Sequence, residues 1–125
     1  MPYVDVFLAP VEISKKAEYI AHSETTWEVF RDLGCVSQWE CWGDDVPEGE
    51  ITSLPMAVKL KEGETVVAGW CVWPDKATRD AAWARIMSPE YGDKMGDMPF
   101  DGKRMTFGGF DAIMTREAAP ASEPA

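Results

Sequence analysis

The segment from Glu64 to Trp73 (Glu-Thr-Val-Val-Ala-Gly-Trp-Cys-Val-Trp) constrains the fold of this chain more than any other. Val66, Val67, Trp70, Val72 and Trp73 suit a pleated strand. They fall on both of its faces, because successive side chains of a strand point to opposite sides. A strand that is apolar on both faces has to be covered on both. The chain must therefore place this strand inside a sheet, with one layer packed above it and another below.

The flanking pattern says what supplies the first layer. Tyr3 to Ala9 reads as a strand closed by Pro10. From Ser14, an N-cap residue type, to Gly34, a C-terminal stop, runs a helix-length segment free of internal Pro and Gly. Cys35 to Trp42 is a second strand, ended by Gly43-Asp44-Asp45 and Pro47. Ser53 to Leu60 is ambiguous, although Pro55 suits the first turn of a short helix. After the Glu64–Trp73 strand, Asp75 caps a helix over Lys76–Met87. Ser88 to Gly102, with Pro89, Pro99 and three glycines, is a loop long enough to be a wrapping arm or a lid. Arg104 to Met114 is a last strand, in which Gly108-Gly109 marks a bulge or a close backbone approach. Thr115 to Ala125 is expected to be a disordered tail.

The order β-α-β-(short element)-β-α-β is a split βαβ pattern. It predicts a ferredoxin-like α+β domain over residues 1–114, a four-stranded antiparallel sheet with both long helices on one face. A chain of 125 residues has room for one such domain. The other face of the sheet is then bare. Since the Glu64–Trp73 strand is oily on that side too, a second copy of the same sheet is the expected cover, which makes the protein a homodimer.

Charge and cysteines narrow the partners. Twelve Lys and Arg against 22 Asp and Glu give a net charge of −10, a mean field that opposes phosphate backbones and anionic membranes alike. Nucleic acid is not expected as a partner. No apolar run approaches the roughly 20 residues of a bilayer span, and the N-terminus lacks the basic and apolar regions of a signal peptide, so the cytoplasm is the expected home. Three cysteines fit reduced thiols better than a disulfide framework. Cys35 and Cys41 stand about 20 Å apart along a strand, too far to share a metal ion, while Cys71 can neighbour one of them across the sheet. With a single histidine, no metal site is expected. The glycine-rich phosphate loops of nicotinamide and flavin enzymes are missing, as is a haem-ligand context, so no cofactor is expected either.

Glu40-Cys41-Trp42-Gly43-Asp44-Asp45-Val46-Pro47, Ala57-Val58-Lys59 and Met98-Pro99-Phe100-Asp101-Gly102-Lys103-Arg104-Met105, followed by Gly108-Gly109-Phe110, carry a resemblance. Over about residues 2–114 the chain resembles an uncharacterised bacterial family, the YbaA-like domain of unknown function, of the dimeric α+β barrel superfamily. The resemblance implies a ferredoxin-like protomer whose sheet closes into a barrel with its twin's. It implies no activity, because the superfamily spans cofactor-free monooxygenases, haem enzymes, muconolactone isomerases and ligand binders. The chain departs from the family where Ser88-Pro89-Glu90 replaces Asp-Pro-Arg, and where Trp27 and Trp83 replace smaller or polar residues. Those extra indoles suit a wider interface or the wall of a pocket.

The first helix has two possible rotations. One turns Ile13, Ala17, Ile20 and Trp27 to the sheet; the other turns Tyr19, Thr26, Phe30 and Leu33 and matches the family's spacing. Under the second, His22, Ser23, Thr26 and Thr78 bring polar groups to the cleft between helices and sheet, where the superfamily's ligands sit. Tyr19, Trp27, Phe30 and Trp70 are expected to supply apolar wall, with Phe100 and Arg104 contributed by the loop. His22 is the natural general base at neutral pH. Asp5, flanked on its face by Tyr3 and Phe7, is the second candidate unless it is paired with a cation of the last strand, Arg104 being the obvious one. Glu40 and Arg79-Asp80 suit a polar network tying the second helix to the sheet or the long loop. Asp101, Lys103 and Arg104 suit a clamp for an anion or a lock on the partner copy. The expected function is a binding module for a small apolar or aromatic molecule. The alternatives are a cofactor-independent monooxygenase or isomerase using His22 or Asp5, and a structural protein whose cleft is filled by Trp27 and Trp83.

Overall fold

The structure is a computed structural model and describes residues 1–119. In chain order it forms β1 (Tyr3–Glu12), α1 (Lys16–Asp32), β2 (Ser37–Trp42), α2 (Leu54–Ala57), β3 (Glu64–Trp73), α3 (Lys76–Ile86), α4 (Pro89–Gly92) and β4 (Thr106–Asp111). Short 3-10 turns at Ile13–Lys15 and Gly102–Arg104 precede α1 and β4. The strands make one antiparallel sheet in the order β2-β3-β1-β4, the ferredoxin-like arrangement expected from the element order.

The helix layer lies on the face that carries Tyr3, Cys71 and Trp73. Val29 and Phe30 of α1 and Ala82 and Ile86 of α3 pack onto these three in one core cluster. Trp73 is fully buried, with Phe30 edge-on to it at 6.1 Å. Burial of Tyr19, Thr26, Val29 and Phe30, against exposed Ile13 and Ile20, selects the second rotation of the first helix. Gly34, at φ +107°, terminates α1 as expected. Ser14 does not cap it, because the chain first makes the 3-10 turn in which Ser14 lies. Asp75 caps α3 through Thr78 N at 2.7 Å, and Ser53 caps α2 through Met56 N at 3.1 Å.

Several boundaries differ from expectation for physical reasons. Pro10 does not close β1, which continues to Glu12 with Pro10 opposite Val66. The Val66 carbonyl accepts from Gly43 N on its other side, so the missing Pro10 N–H falls on the flank facing β4. There β4 has already ended, its pairing with β1 reaching only Leu8↔Thr106, and the proline deprives no partner. The second strand begins at Ser37, with Cys35 in the turn before it. The last strand is shorter than Arg104–Met114, and Arg104 lies in the 3-10 turn. The Ser88–Gly102 loop contains the single turn α4, whose Tyr91 is buried. Residues 112–119 form no regular element, and residues 120–125 of the expected tail lie outside the described residues.

The opposite face of the sheet carries Val4, Val6, Leu8, Trp39, Cys41, Ala68, Trp70, Val72 and Phe110, by the period-two alternation of the paired strands. Trp39 and Trp70 stack there with ring centres 5.8 Å apart, and Trp39 and Phe110 are each 57% exposed. Charge appears on this face at its end, where Glu12 faces Glu64.

Gly108 and Gly109 pair in unbroken register with Val6 and Asp5, so the glycine pair marks a close approach and not a bulge. A Cβ on Gly109 would stand 2.5 Å from Tyr3 Oη and 2.9 Å from Arg79 Nη2, whereas one on Gly108 would meet only Phe110 at 3.6 Å. Gly109→Ala is therefore expected to cost about 1–3 kcal/mol in urea unfolding. Gly108→Ala should stay within about 0.5 kcal/mol of wild type.

Candidate functional site

Two polar centres are built on the helix-facing side of the sheet. The first is Asp5, on central strand β1. Its Oδ1 accepts from Arg79 Nη2 at 2.8 Å and Nε at 3.0 Å, and its Oδ2 accepts from the indole nitrogens of Trp73 and Trp83, both at 2.9 Å. Asp5 and Arg79 side chains are 13% and 24% exposed. The partner of Asp5 is thus Arg79 of α3 and not Arg104, because β1 presents Asp5 toward the helix layer. Bonding to Asp5 holds the Arg79 guanidinium firmly charged. With bonds to a guanidinium and two indoles, Asp5 ties α3 to the sheet. Trp83, expected to widen an interface or wall a pocket, is here a hydrogen-bond donor to Asp5.

The second centre is Glu40 of β2. Tyr19 Oη donates to Glu40 Oε2 at 3.0 Å, and Gln38 Nε2 donates to Glu40 Oε1 at 3.0 Å and to Thr26 Oγ1 at 3.2 Å. The hydroxyls of Ser23 and Thr26 are in turn spent on the Tyr19 and Ser23 carbonyls. Burial raises the Glu40 carboxyl above its ordinary range, against the pull of its two hydrogen bonds. Burial, and then the Glu40 charge, push the Tyr19 phenol upward as well. Gly69 opposes Glu40 across the strands, and a Cβ there would meet Glu40 Oε2 at 2.6 Å and the Phe7 ring. The glycine leaves room for a carboxylate and an aromatic ring side by side. Glu40 is expected in a network with the second long helix; the structure ties it to α1 instead, since edge strand β2 lies under that helix.

Above this network a cleft of about 830 Å³ opens between α1 and β2, walled by Tyr19, Ile20, Ser23, Trp27, Gln38, Glu40 and Trp42. Lys16, Glu24, Glu28 and Arg31 also line it. Trp27 stands in its wall and does not fill it. Of the expected wall residues, Tyr19, Ser23 and Trp27 are brought together here, with Thr26 joined through Gln38. Phe30 lies beneath, in the core. Phe100 packs on the Tyr19 ring at 6.0 Å, so the long loop wraps back over α1. Thr78 sits against Gly34, where an added Cβ would be 2.8 Å from its methyl. Trp70 belongs to the opposite face of the sheet, because it alternates with Cys71 and Gly69. His22 is half-buried on the flank of α1, its burial favouring the neutral ring, and is not part of the cleft lining.

Arg104 makes four side-chain hydrogen bonds within its own chain. It forms a two-pronged pair with Glu64 at 2.8 Å on each arm and also donates to Asp101 Oδ2 at 3.0 Å and to the Lys59 carbonyl at 3.1 Å. Within the protomer it fastens the loop to β3 and to the turn after α2. The thiols of Cys35 and Cys71 are both buried in the core cluster under the helices, and the neighbouring Cys35 thiol together with burial pushes the Cys71 thiol above its ordinary value. Among the described residues no cluster of His, Cys, Asp or Glu gathers to hold a metal ion. Sequence reasoning missed Gln38 as a site residue. The signal was present, since Gln38, Glu40 and Trp42 alternate along one strand face.

The two centres respond differently to substitution. Arg79→Met leaves the Asp5 carboxylate against two indoles without its cation and is expected to cost about 3 kcal/mol in urea unfolding. A carboxyl whose folded-state pKa lies above its ordinary 4.5 contributes stability that is lost as pH rises from there through the raised value. Glu40→Gln removes that loss. The stability of the variant relative to wild type should therefore improve as pH rises from about 4 to about 7, read from urea unfolding at a series of pH values.

A family model described as "Protein of unknown function (DUF1428)" matches residues 2–102. The chain is 43% identical over 115 residues to the uncharacterized protein YbaA of Escherichia coli K12, an alignment covering 91% of this chain and 98% of that protein. YbaA of Shigella flexneri matches to the same extent. Among solved structures, Rv0793 from Mycobacterium tuberculosis is similar with a TM-score of 0.50 at 12% identity, covering 94% of this chain and all of that one. A dimeric ferredoxin-like protein from an uncultured marine organism has a TM-score of 0.48 at 12% identity and the same coverage of this chain. The first of these likenesses speaks to the fold alone. With the family model spanning most of the chain and YbaA aligned along nearly its whole length, the protein belongs to the DUF1428 family of unknown function.

Proposed function

We propose that this protein is a homodimeric binding module that holds a small apolar or aromatic molecule in the cleft between α1 and β2. The observation that carries this reading is the open cleft of about 830 Å³, a volume within the range of small-molecule sites and walled by Tyr19, Trp27 and Trp42 over a polar floor. A purely structural role would leave that space filled by the Trp27 indole. An acid-base enzyme would bring His22 or Asp5 to the wall, but His22 stands outside the lining and Asp5 is enclosed by Arg79, Trp73 and Trp83.

Dimerisation rests on the other face of the sheet. From Val4 to Pro10 on β1, and opposite them on β3, no side chain of that face is charged, in a chain whose net charge is −10. Two copies can meet there without bringing like charges together, which few other surfaces of so acidic a protein permit. Such a pairing covers Trp39, Trp70 and Phe110 and closes a barrel. No helix among the described residues is long and apolar enough to cross a membrane. The three free cysteines suit the reducing cytoplasm.

Sedimentation should give a particle of twice the 13.9 kDa chain mass. Val6→Glu or Trp39→Lys should convert it to single chains, and a well-folded monomer in the wild type would overturn the pairing. Native mass spectrometry of protein purified from its own host tests the cleft. A co-purifying small molecule that Trp27→Ala releases is expected. A molecule retained by that variant, or none across preparations, counts against binding in the cleft.

A further inference from the structure

The cleft floor has a one-sided hydrogen-bond inventory. A glutamine amide has two donor hydrogens, and in Gln38 they go to Glu40 and Thr26. The Tyr19 hydroxyl hydrogen goes to Glu40, that of Ser23 to the Tyr19 carbonyl, and that of Thr26 to the Ser23 carbonyl. The side-chain donors of Gln38, Tyr19, Ser23 and Thr26 are thus all consumed inside the protein. What remain are acceptors: the free lone pairs of the Glu40 carboxylate, the Tyr19 and Ser23 oxygens, and Gln38 Oε1, which is buried without any partner. Turning the Gln38 amide over does not relieve this, because it would aim Oε1 at the Glu40 carboxylate and lose both donor bonds.

The walls point the same way. Trp27 and Trp42 offer indole faces, which attract cations. The chain's own Lys16 ammonium already lies 5.6 Å from the centre of the Trp42 ring. Acidic Glu24 and Glu28 line the cleft beside basic Lys16 and Arg31, and the floor adds the Glu40 charge. A carboxylate or phosphate ligand placed at Glu40 and Gln38 would find the donors of Gln38 and Tyr19 already taken and would lie against a like charge.

Resting on the cleft as the binding site, we infer that its ligand is an organic amine bound as its ammonium ion, with the charged nitrogen at Glu40 and Gln38 and a flat or apolar body between Trp27 and Trp42. The ammonium supplies the donors that the floor lacks, and its positive charge offsets the half-buried carboxylate.

The test uses the full-length protein and three probes that differ at one end of the same phenyl body: 2-phenylethylamine, 2-phenylethanol and 3-phenylpropionate, titrated calorimetrically at neutral pH. The ammonium should bind at least about tenfold tighter than the alcohol, and the carboxylate should be the weakest. Glu40→Gln should cut the amine-over-alcohol ratio to about twofold or less, and Trp27→Ala should weaken the probes together. Gln38→Met provides a second variant that should narrow the preference. If the alcohol or the carboxylate binds wild type as tightly as the amine, or if Glu40→Gln keeps the preference, the amine proposal falls and the binding cleft stands. If none of the three binds at millimolar concentration, the cleft reading falls with it.

Discussion

The pairing of β1 with β3 is the constraint on which the rest of the structure depends. It runs over ten residue pairs, from Tyr3↔Trp73 to Glu12↔Glu64, and puts the two longest strands at the centre of the sheet. Both strands are apolar on both sides over most of their length. Register therefore cannot be slipped by one residue without moving Trp73 out of the helix-covered core and Asp5 away from Arg79. One face is closed by α1 and α3 from the same chain. The same period-two alternation leaves the apolar side chains around Trp39, Trp70 and Phe110 on the other face without helix cover.

The two carboxylates on the covered face are tolerated because each finds hydrogen-bond donors there. Asp5 takes a guanidinium and two indole N–H groups, and Glu40 takes a phenol and an amide. Both need space, and glycine on the adjacent strand provides it, Gly109 beside Tyr3 and Arg79 and Gly69 beside Glu40 and Phe7. The two centres end in different states. Asp5 lies on a central strand under a helix and is enclosed. Glu40 lies on edge strand β2, where α1 passes over without sealing the gap, and its surroundings open into a cleft. Only the second has room for a ligand.

The β-α-β-β-α-β order, the stop at Gly34, the cap at Asp75 and the apolar second sheet face were legible, because each depends on local chemistry or on strand alternation, while the segment after Ser53 stayed ambiguous until the structure showed the short α2. The extension of β1 through Pro10 was not, since it turns on where β4 ends, a fact of pairing between segments nearly a hundred residues apart. The rotation of α1 stayed open between two stripes, and packing of Tyr19, Thr26 and Phe30 on the sheet resolved it. Asp5 was singled out correctly as a carboxylate needing a partner but assigned the wrong arginine. Choosing between Arg79 and Arg104 requires knowing which side of the sheet each reaches. Trp70, expected in the wall, lies on the other face, because the register pairs it with Val6 and Trp39.

What the amino-acid sequence determined by itself is the set of elements, their order and the burial demand of β3, because propensity, capping and period-two patterning act over a few residues. The tertiary structure alone decided which polar groups meet. Tyr19, Gln38 and Glu40 come from a helix and a strand whose relative rotation and height are set by the packing of Phe30 and Val29 on Trp73, and no local rule carries that distance. The cleft is the gap left when those large side chains are seated, a property of the assembled layers and not of any one segment.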